Sequence, residues 1–116
     1  IGNGGPETAT TTLQSNQSFS WFGFSTDGAG DVDDDGYADV IVGAFNYDAG
    51  EADEGAAFVF HGGPSGIPNG SPATANATIQ SNQADAYLGW SVAGVGDVNG
   101  DGRPDVIAGA KAYDSG

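Results

Sequence analysis

Shifted by 66 residues, the sequence falls on itself. Ile1 meets Ile67, Asp31 meets Asp97 and Gly50 meets Gly116, and 27 of the 50 overlapping positions are identical. The match includes an unbroken Gln14-Ser15-Asn16-Gln17 against Gln80-Ser81-Asn82-Gln83. A period of this length marks a repeat architecture, in which one unit cannot bury its own apolar face and stacks on a neighbour. The 116 residues hold a first unit, 1–66, and a second, truncated one, 67–116. Residues 51–66 occur once, so an array cut in mid-unit is expected.

Within each unit, short apolar runs alternate with turns rich in Gly and Asp, and no apolar stripe has helical spacing. Strands are expected at 9–14, 21–26, 39–44, 57–61, 74–80, 87–93 and 105–110. The run Val40-Ile41-Val42 is continuous, as in a strand covered on both faces. Residues 62–72 read as a turn-rich excursion between the third and fourth strands of one sheet. Four strands per unit, repeated, predict an all-β fold of propeller blades, each a four-stranded antiparallel sheet packed face to face on the next.

Composition makes such a fold conditional. Asp and Glu number 16 against 2 Lys and Arg, a formal charge of −14 in a chain of 11.5 kDa. Low aliphatic content with high net charge is the profile of a disordered chain, so something must offset the charge. Arg103 and Lys111 alone cannot build a basic patch, which excludes nucleic acid as a partner. No apolar run is long enough to span a membrane. No charged-then-apolar leader begins at Ile1, so a signal peptide is expected to be missing from this chain. With no Cys, disulfides, thiolate metal sites and Cys nucleophiles are excluded.

The offsetting agent is written in the repeat. Residues 31–39 and 97–105 both read D-x-[DN]-x-D-G-x-x-D. Oxygen-bearing side chains at alternate positions, then a Gly that permits a sharp turn, can wrap one hard cation. Calcium accepts six to eight oxygens in flexible geometry, whereas magnesium demands a stricter octahedron. Side chains would come from Asp31, Asp33, Asp35 and Asp39 in the first loop, and from Asp97, Asn99, Asp101 and Asp105 in the second. Tyr37 and Arg103 would each lend a backbone carbonyl. The loops are not EF-hands, because the twelfth position, where a bidentate Glu is required, holds Val42 and Ala108. Two Ca²⁺, one per loop, would bring the formal charge from −14 to about −10. Metal binding is then partly folding energy.

Phe22-Gly23 before the loop and Gly43-Ala44 after it, with Leu88-Gly89 and Gly109-Ala110 in the second copy, resemble the FG-GAP repeat. That repeat builds the β-propeller of integrin α subunits and of many bacterial secreted and surface proteins. The resemblance covers nearly the whole chain as about one and three-quarter repeats. It implies a calcium loop between the first and second strands of each blade, held by the ten residues named above. Phe45 and Lys111 stand where the third residue of the GAP signature is usually Pro. Ligand recognition does not carry over, because top-face loops differ between members.

Other signals are weaker. His61, the only histidine, reads as a turn residue, since no nucleophile motif accompanies it. Trp21, Trp90, Tyr87, Tyr47 and Tyr113 could stack on sugars but are expected in blade-to-blade packing. Three Asn-x-Ser/Thr sequons, at Asn16, Asn69 and Asn76, decide nothing alone.

The function expected is that of a non-enzymatic, calcium-binding propeller segment of a secreted or cell-surface protein, acting in adhesion, recognition or structure. Its partners would be other blades or copies of the chain, and a protein or glycan ligand. The alternatives are an accessory propeller of a secreted hydrolase, and a structural subunit of an extracellular fibre or designed oligomeric propeller.

Overall fold

The computed structural model describes residues 11–113. Four strands form one antiparallel sheet in chain order: β1 (Ser25–Gly30), β2 (Asp39–Ala44), β3 (Ala56–Phe60) and β4 (Ala77–Gln80). A second antiparallel pair follows, β5 (Leu88–Gly96) with β6 (Asp105–Ala110). A single 3-10 turn, Pro72–Thr74, breaks the connection from β3 to β4. The architecture is all-β, and the first sheet is the four-stranded blade that the repeat predicts.

Successive residues of a strand face opposite sides of its sheet, and β2 shows why its apolar run is continuous. Ile41 points to one side, where Ala29, Ala57, Val59 and Leu88 form a buried cluster. Val92, Val106 and Ala108 of the second sheet pack against that cluster. Val42 points to the other side, among Ala44, Ala56, Phe58 and Phe60, covered by Leu13, Phe22, Tyr47 and Ile67. The inner strands β2 and β3 are therefore buried on both faces, while β1 and β4 are mostly exposed. Pairing of Val40 with Phe60 and of Val42 with Phe58 sets the register. Each fully buried side chain of this size is worth about 1.5–3 kcal/mol over an exposed one.

The two sheets meet at the paired signature residues. A Cβ on Gly89 would strike Ala56 O and the amide nitrogen of Ala44, and one on Gly43 would strike Gly89 O. Only glycine lets the backbones come this close, and Gly89 also has φ +92°. Ser25 Oγ donates to Gly89 O at 2.8 Å across the same seam. A second clasp is polar. The fully buried Glu54 carboxylate accepts from Glu51 N at 3.1 Å and from Asn82 N at 2.6 Å. Its loop thereby grips the Gln80–Gln83 motif of the next unit.

Strands β2 and β6 match their expected ranges residue for residue. The strand expected at 21–26 starts at Ser25 instead. Phe19, Trp21 and Gly23 take left-handed φ of 58°, 58° and 89°, which turns the chain where the apolar alternation suggests extension. Asp85, Tyr87 and Gly89 repeat that geometry at 60°, 57° and 92°, but here Leu88-Gly89 lie inside β5, where the ladder is irregular between Leu88 and Ser91. The strand expected at 74–80 is shortened by the 3-10 turn, and β5 extends past its expected end to Gly96. Of the strand expected at 9–14, residues 9 and 10 lie outside the described residues. Leu13 makes one isolated bridge, to Gly70.

Candidate cation loops and an aromatic rim

Each acidic loop joins the two strands of a hairpin, β1 to β2 and β5 to β6, and both are folded by the same internal hydrogen bonds. In the first, Gly36 N donates to Asp31 Oδ2 at 2.7 Å and Asp35 N to Asp31 Oδ1 at 2.9 Å. Tyr37 N donates to Asp35 Oδ1 at 2.9 Å, and Val32 N to Asp39 Oδ2 at 2.8 Å. In the second, the equivalent bonds are Gly102 N to Asp97 Oδ2 at 2.8 Å and Asp101 N to Asp97 Oδ1 at 3.2 Å. Arg103 N to Asp101 Oδ1 and Val98 N to Asp105 Oδ2, both 2.8 Å, complete the set. Asn99 Oδ1 accepts from Asp101 N at 3.2 Å. Gly36 and Gly102, at φ +91° and +85°, supply the turn that the pattern requires.

These bonds hold carboxylates close together. Asp31, Asp33 and Asp35 offer oxygens within 4.8 Å of one another, as do Asp97, Asp101 and Asp105. Asp39 joins the first loop from below, grouped with Asp33 and with His61 of the β3 end. Tyr37 is exposed at its side chain, which leaves only its backbone to face a cation. Proton affinities follow the surroundings. Burial pushes the Asp31 carboxyl up, but the amides of Gly36 and Asp35 outweigh it and hold the group below the ordinary Asp value. The Gly102 amide leads the set that lowers Asp97. Asp33 is raised, by burial first and by its neighbours Asp31, Asp35 and Asp39, against the pull of His61.

One atom tests the fit to a metal. Asp33 Oδ1 is buried and has no hydrogen-bond partner. A buried acceptor left unpaired is costly, and a hard cation is the partner that a ring of carboxylate oxygens suits. The oxygens of Asp31, Asp33, Asp35 and Asp39 fit calcium, with His61 a nitrogen donor beside them.

The opposite strand ends carry a different surface. Phe45, directly after β2, lies at the centre of an aromatic group, 4.8 Å from Phe24 and 4.6 Å from Trp90 between ring centroids. Trp21 stacks on it at 5.9 Å, and Tyr87 closes the group at 6.3 Å. Trp21, Phe24 and Trp90 are exposed. Lys111, directly after β6, sets its Nζ 4.1 Å from the Trp90 ring centroid. Trp90 therefore packs between the two sheets, as expected, but at their solvent-facing rim, while Leu88 is the buried member of the pair. Phe45 and Lys111 are the two departures from the GAP signature, and together they build this rim. The repeat alignment places Trp21 and Phe24 on Tyr87 and Trp90, which is the signal that locates it; Phe45 has no such signal.

Comparison with known proteins places the repeat. The family model of the FG-GAP repeat matches residues 88–116. Integrin alpha-5 of Xenopus laevis is 36% identical over 100 residues, 85% of this chain and 9% of the relative. Integrin alpha pat-2 of Caenorhabditis briggsae is 42% identical over 89 residues, 77% of this chain and 7% of the relative. Human integrin alpha-6 is 37% identical over 91 residues, 78% and 7% of the two chains. The units are FG-GAP repeats of the integrin alpha type, and the four-stranded sheet is a β-propeller blade. The chain spans less than a tenth of the length of the curated relatives it matches.

Proposed function

We propose that the chain is a non-enzymatic, calcium-stabilised segment of a propeller on a cell-surface or secreted protein, with a role in adhesion or recognition. The observation that carries the calcium reading is the duplicated carboxylate scaffold, with Asp33 Oδ1 buried and unpartnered within the first copy. Asp31, Asp33, Asp35 and Asp39, with the Tyr37 carbonyl, would hold one ion; Asp97, Asn99, Asp101 and Asp105, with the Arg103 carbonyl, would hold the other. A bound divalent ion cancels repulsion between crowded carboxylates and ties the hairpin ends together. His61 makes its side-chain contact to Asp33, not to a hydroxyl nucleophile, which supports a non-catalytic role.

Recognition is supported by the rim, since exposed aromatic side chains are characteristic of binding surfaces. A protein or glycan ligand is the partner class that such a surface suits. Further blades or copies of the chain would cover the exposed Val98 and Ile107, the latter on the face of β6 opposite Val106 and Ala108. Among the described residues no helix is long and apolar enough to cross a membrane. Isothermal titration with calcium tests the site assignment. The chain should take up two ions, Asp31→Ala and Asp97→Ala one each, and Asp34→Ala still two. Uptake unchanged by both loop variants would overturn it.

A further inference from the structure

The first loop has a neighbour that the second lacks. His61, at the end of β3, brings its Nδ1 to 3.1 Å from Asp33 Oδ2. Asp33, Asp39 and His61 offer ligand atoms within 4.8 Å of one another, and they come from the loop, the start of β2 and the end of β3. His61 is the only histidine, so no imidazole stands beside Asp97, Asp101 or Asp105.

We propose that His61, Asp33 and Asp39 form a mixed nitrogen–oxygen site for a first-row transition ion such as Zn²⁺, overlapping the calcium position of the first loop only. The inference rests on reading that loop as a cation site. Three features support it. Imidazole is the ligand that distinguishes zinc-type ions from calcium, which takes oxygen alone. Zn–N and Zn–O bonds are about 2.0–2.2 Å, and adjacent ligands at such lengths stand about 3 Å apart or a little more, close to the 3.1 Å between His61 Nδ1 and Asp33 Oδ2.

The third feature is that Asp39 and the backbone of His61 are held in place before any ion arrives. Asp39 is buried, its Oδ1 accepting from Gly62 N and its Oδ2 from Val32 N, both at 2.8 Å. The backbone of His61 is tied by its N–H to Asn76 Oδ1 at 2.8 Å. Each Asp39 oxygen keeps a further lone pair for a metal, and Asp33 Oδ1 is wholly unpartnered. The imidazole would ligate through Nδ1 in its neutral form, with the remaining ring proton on Nε2. Because Asp33 and Asp39 serve both ions, zinc and calcium should exclude each other there.

The single histidine makes the test direct: follow its ring resonances by NMR while Zn²⁺ is added to the calcium-loaded chain at pH 7.5. One Zn²⁺ per chain should move them to saturation and release one of two calcium ions. His61→Ala and His61→Gln should each weaken that zinc uptake about tenfold or more, with calcium stoichiometry kept, and Asp97→Ala should leave zinc uptake unchanged. Ring resonances that stay still as Zn²⁺ binds, or either His61 variant binding as tightly as the parent, overturns the proposal. A zinc-free calcium titration judges the underlying reading separately. A chain that takes zinc through His61 but no calcium keeps this site and loses the calcium assignment.

Discussion

The two acidic loops share a sequence pattern and a hydrogen-bond scaffold, yet they sit in different surroundings. In the first, Asp39 is 1% exposed and its second oxygen is engaged by Gly62, beyond the end of β3. In the second, Asp105 is half-buried and its bond to Val98 is the equivalent of one of those two. The contrast continues along the strands that follow. Ile41 is 0% exposed, while Ile107, its repeat equivalent, is 57% exposed. Strand β2 lies between β1 and β3, whereas β6 pairs with β5 alone among the described residues. A loop's internal fold is thus set by its own nine residues, and its burial by the third strand and the neighbouring sheet.

That contrast can be broken most sharply in the core. Ile41→Ala should cost about 4 kcal/mol and Ile107→Ala less than about 1 kcal/mol, read by urea denaturation. Similar losses would mean that both strands are equally enclosed in solution. Next in size is the carboxylate at the foot of each loop. In chelator, Asp39→Ala should cost about 3 kcal/mol, because two amides lose a charged acceptor, and Asp105→Ala about 1 kcal/mol. Equal costs would place Asp105 in the same setting as Asp39.

Trp90→Ala should cost about 2 kcal/mol, short of the 3–5 kcal/mol of a fully buried aromatic, because the ring is 37% exposed and rests on Phe24, Phe45 and Lys111. A loss within that range would show the ring fully enclosed between the sheets. The smallest effect concerns one backbone position. Asp34 has φ 61° where the second loop has Gly100 at 79°. Asp34→Gly should therefore gain up to about 1 kcal/mol and Gly100→Asp should lose as much, both measured without metal. A loss on Asp34→Gly would show that its side chain supports the loop.

Much of this was legible in the residues. The 66-residue offset announced stacked units, and Val40-Ile41-Val42 announced a strand covered on both faces. The nine-residue pattern located both loops, because its alternation of Asp with other residues is itself the geometry that gathers the oxygens. Strand starts were less legible. Phe22-Gly23-Phe24 alternates like a strand, but left-handed φ at Trp21 and Gly23 makes it a turn, and apolar alternation carries no sign of φ. His61 looks like an isolated turn residue in the sequence because its link to Asp33 spans 28 positions and depends on β3 lying beside β2. The rim was half visible: Trp21, Trp90 and Tyr87 stood out as aromatics, while Phe45 looked only like a lapse from the signature.

The central claim is that cations held in these loops stabilise the fold of a chain otherwise too acidic to stay compact. Thermal unfolding in excess calcium and in chelator tests it most directly. The account predicts a melting temperature that rises with millimolar calcium and falls on chelation, with magnesium a poor substitute. Double substitution of Asp31 and Asp97 by Ala should abolish the difference between the two conditions. An identical melt of the unaltered chain in calcium and in chelator would contradict the account and leave the carboxylates as solvated turns.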